Sequence, residues 1–115
     1  MKLTVKKAVE LSIELWEWLA ETGEDKYEWI GWGRNGGKYS NDIDGDCFLC
    51  EYVGRQSSAN CHSACPYYAK YGNTCCKVGF PYAKWESSQS NRFRKKYAKQ
   101  FLEQLKTILK EMGEK

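Results

Sequence analysis

The sequence predicts a small α+β domain stabilised by a metal, in which two amphipathic helices flank a loop-rich, cysteine-rich segment with a candidate short hairpin. Three observations predict it: apolar residues recur at helical spacing near both ends, Gly and Asn interrupt the middle, and all six cysteines lie there. A chain of 115 residues has the length of one domain, so residues 1–115 are expected to fold as a single unit. A metal would contribute a large share of the stability of so short a chain.

The first helix is expected over about residues 4–21. Apolar side chains cover most of its helical wheel, and lysines and glutamates share the remaining arc. Thr4 is suited to cap the N terminus, and Gly23 is suited to end the helix. The wide apolar face predicts a buried helix in which Trp16 and Trp18 fill the core.

The second helix is expected over about residues 90–112, with Ser90 or Asn91 as cap and Gly113 as its end. Large apolar residues recur along one side of it. The opposite side is basic, and a basic helix face can follow the phosphates of a nucleic acid, although such a face is also the ordinary state of a surface helix. The candidate nucleic-acid contacts are Arg92, Lys95, Lys96 and Lys99.

Between the helices, a Cys-rich segment of about residues 31–85 shows little periodicity. A loop-rich stretch of this length inside one domain needs something other than regular structure to order it, which favours a metal. Strand-like runs at 27–32 and 48–53 could form a hairpin through the turn residues at 33–37.

Two cysteine pairs have metal-ligand spacing, Cys47-x2-Cys50 and Cys61-x3-Cys65. Each pair can aim two thiolates at one ion, and together they would complete the tetrahedral shell of a structural zinc site. Thiolate is a soft ligand, which favours zinc over harder ions. Three further donors could replace members of this set: Cys75, Cys76 and His62.

Two other uses of the cysteines stay open. Cys61-x3-Cys65-Pro66 resembles the closing part of a ferredoxin-type motif, so an iron–sulfur cluster is the alternative cofactor. An even number of cysteines also allows disulfides.

The chain is expected to lie in the cytoplasm and not in a membrane. No run approaches the roughly 20 apolar residues that a membrane span requires. The first helix also carries glutamates where a signal peptide would have an uninterrupted apolar core: Glu10, Glu14, Glu17 and Glu21. Reduced thiols in the cytoplasm bind metal more often than they form disulfides, which agrees with the zinc prediction.

No catalytic residue is predicted. His62 is the single histidine, and the sequence places no orienting carboxylate or separate nucleophile beside it. A zinc ion with four thiolate ligands would have no open position for chemistry. The sequence therefore favours a protein that is not an enzyme.

Aromatic and cysteine motifs span most of the chain. They are Trp16 and Trp18, Cys47-x2-Cys50, Cys61-x3-Cys65-Pro66, Gly72, Cys75-Cys76 and Pro81-Tyr82-x2-Trp85. This layout resembles small uncharacterised cysteine-rich proteins of tailed bacteriophages. The resemblance implies an accessory viral protein that acts in the bacterial host cytoplasm, in host takeover or counter-defence, and it implies no particular activity.

The function expected first is a non-enzymatic, zinc-stabilised module that binds or sequesters a host protein or a small signalling nucleotide. Its aromatic residues would act beside basic ones: Arg34, Lys38, Arg55, Lys70 and Lys77. A nucleotide site could lie between subunits of a homo-oligomer. The alternative is a nucleic-acid-binding zinc protein that uses the basic C-terminal helix, and an enzyme or redox protein ranks third.

Overall fold

The computed structural model describes residues 3–40, 43, 47–56, 64–73 and 77–113. Its regular elements in these ranges are helical. They are α1 (Val5–Thr22), a 3-10 turn (Lys26–Glu28), a second 3-10 turn (Gly33–Asn35), α2 (Phe48–Gly54), α3 (Pro66–Tyr71), α4 (Pro81–Ser87) and α5 (Asn91–Gly113). The described residues contain no β-strand, so the predicted α+β class is wrong and the architecture is that of a helical domain.

The predicted hairpin is replaced by a turn and a helix. Residues 27–32 contain 3-10 and turn structure, and residues 48–53 lie in α2. Among the residues described here, the strand-like pairing is a parallel bridge between Trp32 and Tyr39. Aromatic residues suit strands by propensity, but here burial of their rings decides the local conformation.

The segment at 31–85 is also less loop-rich than predicted, because its described residues include three short helices, the last of which ends at Ser87. Each is six or seven residues long, too short for a helical period to stand out in the sequence. Their start signals are local. Cys47 caps α2, while Pro66 and Pro81 begin α3 and α4, where the missing N–H costs no hydrogen bond.

α1 begins and ends within one residue of its predicted bounds. The Thr4 hydroxyl accepts a hydrogen bond of 3.1 Å from the Lys7 N–H. At the other end Gly23 has φ 74° and its N–H donates to the Leu19 carbonyl. A residue without Cβ adopts this left-handed conformation without strain, so glycine ends the helix.

α5 likewise lies close to its predicted range. Ser90 accepts a hydrogen bond of 3.2 Å from the Phe93 N–H, the contact expected of a cap. The Asn91 side-chain amide donates to the Thr22 carbonyl at 3.1 Å. This bond fixes the start of α5 beside the end of α1.

The core lies where α1 packs against α5 and α2, with α4 also packed against α5. Trp16 of α1 is its aromatic centre, with ring centroids 4.8 Å from Trp85 and 4.6 Å from Phe101 in edge-to-face geometry. Trp18 is half-buried and lines a surface groove. In the part of the chain that the structure describes, no helix combines the length and apolar character needed to cross a membrane.

Candidate functional site

Cys47 and Cys50 lie together at the start of α2. Cys47 is the capping residue, and its sulfur accepts a hydrogen bond of 3.4 Å from the Cys50 N–H. Both cysteines are half-buried, while the neighbouring Phe48 and Leu49 are buried. The side chains of Cys47 and Cys50 also hydrogen bond with each other, so the two sulfurs lie on the same side of the first turn.

Lys26 and Tyr82 complete the surroundings of this pair. The Lys26 ammonium donates a hydrogen bond of 2.6 Å to the Tyr82 hydroxyl. Trp32 positions Lys26 from the other side, because its indole N–H donates to the Lys26 carbonyl at 2.8 Å. A 3-10 turn, α2 and α4 thus contribute to one polar cluster next to the core, which we call the thiol cluster: Lys26, Cys47, Cys50 and Tyr82.

The electrostatics of the thiol cluster favour a charged sulfur. Hydrogen bonding with the Cys50 side chain lowers the pKa of Cys47 to about 6 from its ordinary 9.0; burial opposes this shift and the charge of Lys26 supports it. Burial alone would lower the pKa of Lys26, but the attraction of Tyr82 and the two thiols outweighs burial and raises it. Burial raises the pKa of Tyr82 to about 12, so its hydroxyl is neutral near pH 7 and can accept from Lys26.

The other predicted metal ligands are only partly described. Cys65 is buried, with 8% of its surface exposed, and directly precedes α3. Cys61, His62, Cys75 and Cys76 lie outside the described residues. Within the described ranges there is no group of three or more His, Cys, Asp or Glu that could hold a metal ion.

The two thiols at the start of α2 could supply two of the four ligands of a tetrahedral zinc ion. Cys47 and Cys50 are adjacent soft donors, and Cys47 is a thiolate near pH 7, the form that binds metal. Two more ligands would have to come from other parts of the chain. The same two cysteines could also be ligands of an iron–sulfur cluster, but their geometry does not favour iron over zinc.

A second feature of the region is a cluster of aromatic rings in residues 24–40, which we call the aromatic segment. Trp29 and Tyr39 stack with ring centroids 5.5 Å apart and an interplanar angle of 9°. Trp32 is fully buried and stacks on Phe48 of α2 at 5.3 Å. Phe48 follows Cys47 directly, so the aromatic segment packs on the helix that carries the thiol pair.

Polar contacts and close backbone packing order the aromatic segment. The Asn35 side-chain amide donates to the Tyr27 carbonyl at 3.0 Å and to the Trp29 carbonyl at 2.9 Å. The backbone of Gly37 approaches that of Gly31 so closely that a Cβ on Gly37 would lie 2.3 Å from it. The sequence predicts that a metal orders the middle of the chain, and in the aromatic segment these hydrogen bonds and this close glycine contact also contribute to the order.

Several large side chains of the aromatic segment face solvent. Tyr27 is 61% exposed and Ile30 is 63% exposed. The Arg34 guanidinium lies 4.1 Å from the centre of the Tyr27 ring, and Lys38 lies 5.3 Å from that of Tyr39. Beside Ile30, a groove of about 500 Å³ is also lined by Trp18 and by two glutamates of α1, Glu14 and Glu17.

The structure places the five predicted binding residues on different elements. Arg34 and Lys38 belong to the aromatic segment. Arg55 pairs with Glu51 at 2.7 Å, and Lys70 pairs with Glu111 at 2.6 Å. Lys77 is exposed ahead of α4. Of the five, Arg34 lies beside the exposed Tyr27 ring and Lys38 beside the half-buried Tyr39 ring, while two others lie in ion pairs elsewhere.

The basic side of α5 divides into two parts. Lys95 and Lys99 line a groove of about 710 Å³ together with Glu17 and Glu21 of α1, so carboxylates partly balance their charge. Lys96 lies instead over two aromatic rings of α5, those of Phe93 and Tyr97. Arg92 is exposed at the start of the helix.

Lys26 and Tyr82 are the members of the thiol cluster that the sequence analysis did not identify. They are separated by 56 positions in the chain, and neither belongs to a motif with ligand spacing. No local pattern could have joined them to Cys47, because tertiary packing alone brings α4 to this side of the core.

Comparison of the chain with models of protein families, with curated proteins and with solved structures finds no match.

Proposed function

We propose that this chain is a non-enzymatic binding module in which zinc, held in part by Cys47 and Cys50, stabilises α2 and through it the aromatic segment. One structural relationship carries the proposal. α2 bears the thiol pair on its first turn, and the same turn presents Phe48 to Trp32. Whatever fixes the first turn of α2 therefore also supports the segment that exposes Tyr27 and Ile30.

Zinc suits this position because binding of a structural zinc ion adds directly to folding free energy. Cys47 and Cys50 would supply two thiolates. The remaining two ligands would come from among Cys61, Cys65, Cys75, Cys76 and His62. A shell of four protein ligands leaves no open coordination position, which supports a structural role for the metal and a protein without catalytic activity.

The aromatic segment is the proposed contact surface for a partner protein. Tyr and Arg are enriched among the residues that dominate binding energy at interfaces, and here the exposed Tyr27 ring is stacked by Arg34. The Arg34 Nε also donates to the Tyr27 carbonyl at 3.2 Å, so both side chains are held in place before binding. Preorganisation of this kind reduces the entropy lost on association.

The resemblance to phage proteins leads us to propose a bacterial host protein as the partner, bound in the cytoplasm. A protein fits these observations better than a small nucleotide does, because Tyr27 and Ile30 stand on the outer surface. The groove next to Ile30 is also lined by Glu14, Glu17 and Lys38, so its two carboxylates outweigh its one ammonium and would disfavour phosphates.

Quantitative capture from a bacterial extract tests this surface. We expect the parent chain to retain a specific protein, and Tyr27→Ala combined with Ile30→Ala to lose it. A matched control changes Lys95, Lys96 and Lys99 to Gln, which removes exposed charge without placing new carboxylates near Glu17 and Glu21; it should retain the same protein.

The retained protein should also leave the complex with its mass unchanged, as expected for binding without turnover. Equal capture by the parent and the Tyr27→Ala, Ile30→Ala variant would contradict the proposed surface. A covalently altered partner would contradict the non-enzymatic role.

A further inference from the structure

We infer that a second surface, formed by Lys84, Arg92, Phe93, Lys96 and Tyr97, binds single-stranded nucleic acid. We call it the Phe93 surface. It lies on α4 and the first turns of α5, and it shares no residue with the aromatic segment or the thiol cluster. The inference therefore does not depend on the proposed zinc site or on the proposed protein partner.

The first observation is a pair of stacked rings, of which Phe93 is exposed and Tyr97 is half-buried. Phe93 and Tyr97 lie one helical turn apart with ring centroids 6.3 Å apart and an interplanar angle of 18°. Phe93 is 47% exposed although it is a large apolar side chain. The exposed part of the Phe93 ring can accept another flat ring, because successive bases of a single strand stack on such platforms in proteins that bind them.

The second observation is the positive charge around these rings. The Lys84 ammonium lies 5.6 Å from the centre of the Tyr97 ring. That of Lys96 lies 6.0 Å from the Phe93 ring centre and 5.5 Å from that of Tyr97. Arg92, next to Phe93, is exposed as well. Cations on flexible side chains next to a stacking platform can meet the phosphates that connect the stacked bases.

The third observation concerns the balance of charge. The ion pairs identified among the described residues do not include Lys84, Arg92 or Lys96. Lys95 and Lys99 differ, because their groove also contains Glu17 and Glu21. The side of α5 that carries the rings therefore has the larger excess of positive charge. A polyanion would bind more favourably on that side than in the groove beside α1.

The shape of this region favours a single strand over a duplex. A shallow groove of about 270 Å³, lined by Lys84, Ser87, Ser88, Phe93 and Tyr97, opens beside the rings. In a duplex the base faces are already stacked on one another, so the Phe93 ring would have nothing to stack on. An unpaired strand offers both base faces and phosphates.

Fluorescence anisotropy with a labelled oligothymidylate of about 20 nucleotides, and with a duplex of the same length, tests the inference. We expect the single strand to bind at least about tenfold more tightly than the duplex at about 50 mM salt. Phe93→Ala should weaken single-strand binding by about tenfold, since one stacked base is lost. Lys84→Gln and Lys96→Gln should each reduce the slope of log affinity against log salt by about 0.7.

Two control variants separate loss of the Phe93 ring from loss of stability and from loss of an aromatic residue elsewhere. Phe93→Leu retains apolar volume but removes the ring, so it should lose as much affinity as Phe93→Ala even if the alanine variant is less stable. Tyr27→Ala removes an exposed aromatic residue elsewhere and should bind like the parent. Absence of single-strand binding at low salt, equal affinity for the duplex, or unchanged binding by Phe93→Leu would each overturn the inference.

Discussion

The Lys26 ammonium lies 2.6 Å from the Tyr82 hydroxyl and donates a hydrogen bond to it, joining the 3-10 turn at Lys26–Glu28 to α4. Lys26 is half-buried, so its charge cannot be fully solvated by water. Tyr82→Phe would leave this ammonium without its phenolic acceptor. We expect the free energy of unfolding to fall by about 1.5–3 kcal/mol, the usual range for a hydrogen bond to a charged group.

Urea unfolding followed by circular dichroism measures this loss. Tyr27→Phe is the matched control, because it removes a phenolic hydroxyl from an exposed ring and should change the free energy by less than about 0.5 kcal/mol. Equal stabilities of the two variants would show that the Lys26–Tyr82 bond does not stabilise the fold.

The lowered pKa of Cys47 predicts a specific pH dependence. Because the pKa in the folded chain, about 6, is below the ordinary value of 9.0, the thiolate stabilises the folded state. That contribution is fully present above pH 9 and is lost as the pH falls through about 6. In protein freed of metal and kept reduced, alkylation of Cys47 by iodoacetamide should therefore be half-maximal near pH 6.

Mass analysis of the alkylated peptide gives this midpoint. Lys26→Met should raise it, since a nearby positive charge is lost, whereas Tyr82→Phe keeps the charge and should leave it near the parent value. A parent midpoint close to 9.0, the ordinary value, would contradict the assigned thiolate.

The close approach of Gly37 to Gly31 predicts that the aromatic segment does not tolerate a side chain at position 37. A Cβ there would lie 2.3 Å from the Gly31 backbone and from the Ile30 carbonyl oxygen. We expect Gly37→Ala to lower the free energy of unfolding by about 1–3 kcal/mol, as overpacking does in a core.

Gly54→Ala is the control for this change. The last residue of α2 has open space where its Cβ would lie, and alanine is the better helix former, so this variant should be neutral or more stable by up to about 1 kcal/mol. Comparison of the two urea midpoints gives the result. Similar midpoints would mean that the Gly31–Gly37 contact is looser than the structure shows.

The sequence predicts the terminal helices well and the middle poorly, for physical reasons. α1 and α5 are long enough for an apolar stripe to repeat, and Thr4, Gly23 and Ser90 mark their ends. α2, α3 and α4 are too short to show a period, and their conformation depends on how Phe48, Tyr67 and Trp85 are buried. A Gly-rich turn between two aromatic runs looks the same in a hairpin and in the aromatic segment.

The candidate site likewise has one part that the sequence predicts and another that it does not. The proximity of Cys47 and Cys50 follows from their spacing, because a C-x2-C pair closes within one turn. Lys26, by contrast, lies near the pair because Trp32, which donates to the Lys26 carbonyl, packs on Phe48. The Phe93 surface is intermediate: Phe93 and Tyr97 are one turn apart in sequence, but the helical pattern assigns both to the core, and the structure leaves Phe93 half exposed.

The metal content of the protein, purified without a metal-binding tag, is the decisive measurement for the proposed zinc–thiolate site. We predict about one zinc per chain, with Cys47→Ser and Cys50→Ser each losing most of the metal and melting at a markedly lower temperature, because metal binding and folding are coupled. Ser88→Ala, an exchange of similar size away from the thiol cluster, should keep full zinc content. Iron in place of zinc, no metal at all, or full zinc content and unchanged melting in both cysteine variants would contradict the zinc–thiolate site.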